Sequence, residues 1–426
     1  MYSTYKERIK YLSDRLVAAQ QPLRILQALR LHDDFEQQVL KSGFKDIPRV
    51  DAEYYHEHNP LPFDSEALIA EFEEIKWAVR RSPGETDDLG KILLRNCQEY
   101  QDAVRMLLAR GTPEFFQYSR ALYGSPTDCF PGDQTTIHDS AVLLYDILAT
   151  VKQEQLGVVD QKNLTAEQVV DDLNLAYSRY FENDRVLARL DDGIASDAAA
   201  GADYVKIKRG VMFSRREVDL LERHEGWVHV GTTLNGTGQH VAGFLAKGPP
   251  GVSDVQEGLA VTMELLTFTT SPVRMKKLNN RVLACTKAVE GADFLQVCEF
   301  YRTEGYSELD CVRNTARIFR GGVMSGGAPF TKDIGYCKGF VKVYNFMRTA
   351  VRFGRPELLP YLFTGKLILE DVPVLFEKAR EGVIDPPRYL PPQFRDLNGL
   401  AMWMAYSNFF NRMNLTGIKA YYRSHI

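Results

Sequence analysis

The stretch from His224 to Gly258 holds two histidines and two glutamates in an order that is typical of a catalytic zinc site. It reads H-E-G-W-V-H, then T-L-N-G-T-G-Q-H and, after a loop rich in glycine and proline, Q-E-G-L-A. A catalytic zinc ion takes three protein ligands and one water molecule, whose pKa it lowers towards neutrality. We expect His224, His229 and Glu257 to be the ligands. Glu225 lies next to the first histidine and is then placed to act as the general base.

The spacing of the two histidines departs from the usual H-E-x-x-H pattern by one residue. In a regular α-helix, a spacing of five places the two side chains about 140° apart around the axis. A π-bulge widens one turn and would bring both rings to one ion, and Gly226 could ease the distortion. The alternative is that the helix ends near Val228 and that His229 comes from its last turn.

The alternative to a metal site is that the two histidines are unrelated residues of an amphipathic helix, which would show the same sequence pattern. Glu257 favours the metal site, because it lies at the start of a second helical run, Val255 to Phe268. A glutamate ligand from a second, downstream helix is the arrangement of one class of zincins.

These residues resemble a known protein family. The matching positions are His224, Glu225, His229, Asn235, Gln239 and the run Gln256-Glu257-Gly258-Leu259-Ala260. They resemble the bacterial proteins named for their QEGLA motif, whose eukaryotic relatives are the microtubule-associated tyrosine carboxypeptidases that act on α-tubulin. The resemblance extends to Arg317-x-x-Arg320-Gly321 and to Phe330-Thr331-Lys332-Asp333-x-x-Tyr336-x-x-Gly339, and it covers roughly residues 160 to 385. It implies a zinc-dependent carboxypeptidase.

A group of basic and phenolic side chains follows the metal ligands. Arg313, Arg317 and Arg320 fall at i, i+4 and i+7, which places them on one face of a predicted helix. Lys332 and Tyr336 fall at i and i+4 on the next helix. Such side chains could bind a terminal carboxylate, and a tyrosine could also donate to an oxyanion. The alternative is a solvated basic stripe.

The resemblance supports a substrate-binding set and one further catalytic residue. Asn235 and Gln239 could hydrogen-bond the substrate backbone, although a turn-forming Asn235 is the alternative. The expected substrate-binding residues are Asn235, Gln239, Arg317, Arg320 and Lys332, and Tyr336 is the expected second catalytic residue. Which of these side chains binds carboxylate and which binds the oxyanion stays open.

Composition limits the other possibilities. The chain has 426 residues and a net charge of −4, which implies no general affinity for nucleic acid. The N-terminus lacks the apolar core of a signal peptide, and no apolar run approaches the length of a membrane span. The six cysteines form no C-x-x-C pair and are expected to be reduced and buried. We therefore expect a cytoplasmic protein that binds neither nucleic acid nor membrane, with an unknown oligomeric state.

The expected fold class is α+β and mainly helical. We expect a zincin-like core at residues 161–385, preceded by a helical segment at 1–160 and followed by a helical segment at 386–426 that packs on the core. Two strands, Val186 to Leu190 and Tyr204 to Lys208, precede the histidine helix, with a loop of small residues from Ala195 to Gly201 between them. Ser214 and Glu217 form a capping box that starts the histidine helix.

The sequence thus predicts a zinc metallopeptidase, expected to be a carboxypeptidase that removes a residue from a peptide or protein C-terminus. A preference for an aromatic, tyrosine-like residue follows only from the resemblance. Two alternatives are a zinc-dependent hydrolase of another amide and a regulatory or binding protein with a structural zinc site.

Overall fold

The computed structural model describes residues 2–32, 34–152, 155–157, 160–194 and 196–426. The chain is mainly helical with two small sheets, in agreement with the predicted α+β, mainly helical class. In the part of the chain that is described, no helix is both long and apolar enough to cross a membrane. All six cysteines are free, and every one except Cys129 is buried.

Twenty α-helices are described. They are α1 (Tyr2–Gln20), α2 (Ile25–Ala28), α3 (Phe35–Lys41), α4 (Ala52–His58), α5 (Ser65–Arg81), α6 (Asp88–Leu108), α7 (Glu114–Tyr123), α8 (Ile137–Ala149), α9 (Ala166–Tyr180), α10 (Arg215–Leu221), α11 (Gly231–Thr237), α12 (Ser253–Leu266), α13 (Pro272–Val289), α14 (Phe294–Thr303), α15 (Glu308–Phe319), α16 (Gly335–Arg352), α17 (Val372–Arg380), α18 (Pro392–Arg395), α19 (Leu397–Phe410) and α20 (Leu415–Arg423). A π-helix, Glu222–Val230, joins α10 to α11. Short 3-10 helices occupy Gly243–Ala246, Pro250–Val252, Thr331–Ile334, Pro356–Phe363 and Leu369–Asp371.

Five short strands precede the histidine helix. They are β1 (Leu164–Thr165), β2 (Leu187–Asp191), β3 (Ala198–Ala200), β4 (Tyr204–Lys208) and β5 (Met212–Phe213). The larger sheet has the order β2-β4-β3, with β4 parallel to β2 and antiparallel to β3. The two predicted strands are confirmed within one residue. The predicted loop from Ala195 to Gly201 is wrong at 198–200, where β3 forms, and Ala195 lies outside the described residues.

The start of the histidine helix follows from local sequence. The Ser214 hydroxyl accepts the Glu217 N–H, and the Glu217 carboxylate accepts the Ser214 N–H at 2.8 Å. This reciprocal pair satisfies two backbone donors that a helix start leaves without partners. The predicted capping box is therefore confirmed, and it fixes where α10 begins.

One hydrophobic core joins the three ranges that the sequence analysis separated. Its buried members include Leu12 and Phe72 from the first range, Val255 and Leu362 from the second, and Met404 from the third. The N-terminal helices and the C-terminal segment thus pack on the same core as the candidate catalytic range. The boundaries at residues 160 and 385 stay a prediction.

Two glycines allow α12 and α16 to pack with their backbones in contact. A Cβ at Gly258 would lie 2.1 Å from the carbonyl carbon of Gly339. A Cβ at Gly339 would lie 1.7 Å from the Asp254 carbonyl oxygen. Neither position can hold a larger residue unless the helices separate. Because α12 carries Glu257, this contact also sets where the third candidate ligand lies.

We predict that Gly339→Ala destabilises the protein by about 3 kcal/mol, because the new methyl group overlaps the α12 backbone. Urea denaturation of both proteins measures the loss. The matched control is Gly399→Ala in α19, where an added Cβ meets nothing within 4 Å. That variant should unfold at the wild-type concentration of urea or slightly above it. Equal stability of Gly339→Ala and wild type would contradict the helix contact.

Candidate metal centre

The two histidines lie on a π-helix. The elements α10, the π-helix Glu222–Val230 and α11 follow one another without a break. In a π-helix, backbone hydrogen bonds join residues five apart, so side chains at that spacing share one face. This confirms the predicted widening and extends it over nine residues. The alternative that the helix ends near Val228 is wrong, because helical structure continues to Thr237.

Gly226 is required where α9 packs on the π-helix. A Cβ at Gly226 would lie 2.4 Å from the Tyr177 ring, which is fully buried against it. The ring therefore occupies the space that a side chain would take. Tyr177 thus packs directly on the backbone between His224 and His229.

His224, His229 and Glu257 form a compact cluster. One potential ligand atom from each lies within 4.8 Å of the others. The Glu257 Oε2 atom is 3.7 Å from His224 Nε2 and 3.6 Å from His229 Nε2, too far for hydrogen bonds. This oxygen is buried and has no hydrogen-bond partner. A buried, unsatisfied carboxylate oxygen that faces two imidazole nitrogens is the arrangement that a bound metal ion would satisfy.

Glu264, which the sequence analysis missed, holds the first histidine. Its Oε1 lies 2.7 Å from His224 Nδ1, and Arg274 donates to the same oxygen at 2.9 Å. Burial would raise the pKa of Glu264, but Arg274 and His224 outweigh it and lower this pKa to about 2. A carboxylate on the far nitrogen of a ligating histidine fixes the ring and its tautomer. The sequence held one indication of this role, because Glu264 follows Glu257 by about two helical turns and so lies on the same helix face.

Lys332 supports the third candidate ligand. Its ammonium donates to Glu257 Oε1 at 3.2 Å, which leaves Oε2 to face the histidines. Burial opposes ionisation of Glu257, yet Lys332 and the two histidines hold its pKa well below the ordinary value. In this structure Lys332 therefore contacts the third candidate ligand, whereas we expected it to bind substrate.

Glu225 lies beside the cluster and is held by the edge of the larger sheet. Its Oε2 accepts the Ala200 N–H of β3 at 2.9 Å. Strand β3 is at the end of the sheet order, so it has one unpaired edge. The carboxylate predicted to be the general base is thus fixed by the backbone of the edge strand β3.

The three arginines predicted on one face of α15 each have different surroundings. Arg313 pairs with Glu36, which belongs to α3, at 3.0 Å. Arg317 forms a forked pair with Asp333, at 2.6 and 3.0 Å. Arg320 is the residue after α15 and leaves the helix with a ψ of 130°. Arg313 and Arg317 lie on α15 as expected and Arg320 is its C-cap residue, but Arg313 and Arg317 bind different carboxylates.

The side chains of Arg320 and Tyr336 have no hydrogen-bond partner among the described residues. The Arg320 Nε is buried and unsatisfied, and its guanidinium lies 5.4 Å from the centre of the Phe330 ring. Burial and the neighbouring Arg317 lower the pKa of Arg320 to about 10. The Arg281 guanidinium lies 4.7 Å from the centre of the Tyr336 ring, and its Nε is also unsatisfied. Arg281 was missed by sequence reasoning, because it lies on a separate helix, α13.

Asn235 and Gln239 bind backbone from a distant segment. The Asn235 amide donates to the carbonyls of Phe363 and Tyr389, and its oxygen accepts the Tyr389 N–H at 2.8 Å. The Gln239 amide forms a reciprocal pair with the backbone of Asp385, at 2.8 Å in both directions. Their hydrogen-bonding groups are occupied, so here they hold the chain at 385–389. The structure thus differs from the expected substrate contacts.

Comparison with known proteins identifies the family of the chain. The family model described as microtubule-associated tyrosine carboxypeptidase matches residues 35–412, so the chain belongs to that family. The match is wider than the range from 160 to 385 that the motifs indicated. The family implies a peptidase that acts on a peptide or protein. No curated protein matches the chain.

A structural comparison gives a weak similarity. A putative lipoprotein from Colwellia psychrerythraea matches with a TM-score of 0.44 and 12% sequence identity, covering 78% of this chain and 69% of that chain. At this level the similarity does not inform the fold or the site.

We predict that Glu264→Gln weakens binding of a divalent metal ion by about ten- to a hundredfold, because a neutral amide holds the His224 ring less firmly. Competition against a chelator, with Zn²⁺ as the probe ion, measures the affinity. Glu304→Gln is the control, since Glu304 is a half-buried glutamate that binds Tyr145 and Lys276 and no residue of the cluster. Unchanged affinity in Glu264→Gln would remove Glu264 from the metal centre.

Proposed function

We propose that this chain is a zinc-dependent carboxypeptidase. The observation that carries the proposal is the buried Glu257 Oε2, which lacks a hydrogen bond and faces the Nε2 atoms of His224 and His229. Glu225 lies next to this cluster on the same π-helix. The placement of these residues, with an edge strand beside Glu225, supports a zincin-like core as part of the proposal.

The residues fit a zinc ion. Two histidines and one glutamate are a common catalytic donor set, with bonds of about 2.0–2.2 Å. Tetrahedral bonds of that length place donor atoms roughly 3.3–3.5 Å apart, and the observed separations from Glu257 Oε2 are 3.6 and 3.7 Å. Shifts of a few tenths of an ångström would complete the geometry. The described residues supply three ligands, which favours a catalytic site over a closed structural one.

The chain's own residues would perform the proton transfers. When bound, the ion lowers the pKa of a water molecule and polarises the scissile carbonyl. Glu225 accepts the proton from water and then delivers it to the leaving amine. The Ala200 N–H keeps one oxygen of Glu225 fixed, so the other is free for this transfer. Tyr336 has an uncommitted hydroxyl that could donate to the developing oxyanion.

Recognition of the substrate terminus requires a cation that is not already paired. Arg317 is committed to Asp333 and Lys332 to Glu257. The Arg320 Nε atom is buried and unsatisfied, and no carboxylate of the described residues forms an ion pair with this guanidinium, so a bound terminal carboxylate would supply a partner. We assign carboxylate binding to Arg320. Arg317 has a supporting role, because it holds Asp333 beside Arg320. Because the family is named for a tyrosine carboxypeptidase, we propose an aromatic C-terminal residue as the preferred leaving group.

Glu225→Gln should bind zinc normally and lose hydrolysis by about two to four powers of ten, because an amide cannot accept the proton. The measurement is the turnover of a peptide with C-terminal tyrosine, together with zinc content. Glu222→Gln, on the same π-helix and bonded to Arg223, serves as the matched control. Wild-type turnover in Glu225→Gln would eliminate Glu225 as the base.

Peptides that end in a free acid should be cleaved at least about a hundredfold faster than the same peptides ending in an amide, because amidation leaves a buried arginine unpaired. A paired assay on peptides with C-terminal Tyr, Phe, Leu and Glu measures the ratio. Arg320→Met should abolish most of this preference with zinc still bound. Arg313→Met, which changes an arginine of α15 that is already paired with Glu36, should keep it. Equal cleavage of acids and amides would favour a hydrolase of another amide.

A further inference from the structure

Lys366 lies next to the candidate metal centre, in the segment between the 3-10 helices Pro356–Phe363 and Leu369–Asp371. Its ammonium donates to the His229 carbonyl at 2.9 Å, to the Thr232 hydroxyl at 2.9 Å and to the Gln256 Oε1 at 2.8 Å. All three acceptors are neutral. Lys366 thus uses each of its three donors, and none of them binds a carboxylate.

Two of the three acceptors belong to the elements that carry the candidate ligands, and the third, Thr232, lies on α11. The His229 carbonyl is part of the π-helix, and Gln256 directly precedes Glu257 on α12. One ammonium therefore joins the backbone of one ligand to the residue next to another. Gln256, the first residue of the Q-E-G-L-A run, has no part in the proposed reaction, and it binds Lys366.

The lysine is itself held in a fixed place. Its backbone N–H donates to the Leu245 carbonyl at 2.7 Å. A Cβ at the preceding Gly365 would lie 2.6 Å from the Leu245 Cβ, so the loop packs tightly on the 3-10 helix Gly243–Ala246. A lysine on such a support can hold its acceptors in fixed positions.

Stability of the fold does not explain the residue. The Lys366 ammonium is largely withdrawn from solvent, and its three acceptors carry no negative charge. A buried ammonium with neutral acceptors is less favourable than an apolar side chain of similar size. Such a group is retained where its hydrogen bonds serve the site, since catalytic groups need support within about 0.5 Å.

We propose that Lys366 is a positioning residue of the metal centre, which sets the separation between His229 and Glu257 through the His229 carbonyl and Gln256. This inference rests on the proposed function. The donor atoms of the two ligands are 3.6 Å apart, close to the separation that a tetrahedral ion requires. Loss of the bridge would let the π-helix and α12 move independently.

The test compares Lys366→Met with wild type in the full chain. Methionine keeps the unbranched shape, is one heavy atom shorter and removes the three donors. We expect Zn²⁺ affinity, measured by competition with a chelator, to fall by about ten- to a hundredfold. We also expect the visible absorption of the Co²⁺-loaded variant to change shape, because that spectrum reports ligand geometry.

The matched control is Lys342→Met. Lys342 is a half-buried lysine that also reaches α12, where it bonds Asp254 at 2.9 Å, and Lys338 remains on the same carboxylate after the substitution. Replacement of a lysine that only stabilises the fold would lower the free energy of unfolding without altering the Co²⁺ spectrum. We therefore expect wild-type affinity and a wild-type spectrum from Lys342→Met.

A second variant keeps the proposal testable if Lys366→Met does not fold. Gln256→Met removes one acceptor and leaves Lys366 bonded to the π-helix and Thr232. It should weaken Zn²⁺ binding in the same direction, and the double variant should lose less than the sum of the two single losses. Wild-type affinity and spectrum in Gln256→Met, and in Lys366→Met where it folds, would overturn the proposal. Failure of wild type to bind Zn²⁺ would instead reject the proposed function.

Discussion

The widened helical turn between His224 and His229 is the constraint on which the candidate site depends. Five-residue spacing places the two rings on one face only when backbone hydrogen bonds also span five residues. A π-helix is rare because its geometry is less favourable, so the surroundings must hold it. Tyr177 packs on Gly226 from one side, and Lys366 binds the His229 carbonyl from the other. The fold around this turn thus serves to keep an uncommon backbone conformation in place.

The charged groups of α12 are a second constraint on the candidate site. On α12, Glu264 and the Oε2 atom of Glu257 are buried, and each carboxylate is matched by a cation, Lys332 for Glu257 and Arg274 for Glu264. A buried carboxylate without such a partner would take up a proton and lose its value as a ligand or support. The contact between Gly258 and Gly339 brings α16 against α12, beside the 3-10 helix that carries Lys332. Packing and charge therefore fix the same helix.

The parts predicted correctly from sequence depend on local spacing. The capping box at Ser214, the widened turn and the convergence of the three candidate ligands each follow from residues close in the chain or from a recognisable motif. The roles of Asn235 and Arg317 could not be predicted in this way. Asn235 binds backbone at Phe363 and Tyr389, and Arg317 is taken by Asp333, which lies beyond a glycine-rich turn. Such pairings depend on tertiary packing and leave no periodic signal. Strand β3 was missed because an alanine-rich segment has little strand propensity of its own.

X-ray absorption at the zinc edge of the zinc-loaded protein tests the central claim most directly, because it reports the identity and distance of the ligand atoms. The account predicts about one zinc per chain with two imidazole nitrogens and carboxylate oxygen, at about 2.0–2.2 Å. The imidazole signal should be lost when His224 and His229 are replaced together. A sulfur ligand, or a shell of oxygens alone, would contradict the assignment of His224, His229 and Glu257 as the metal centre.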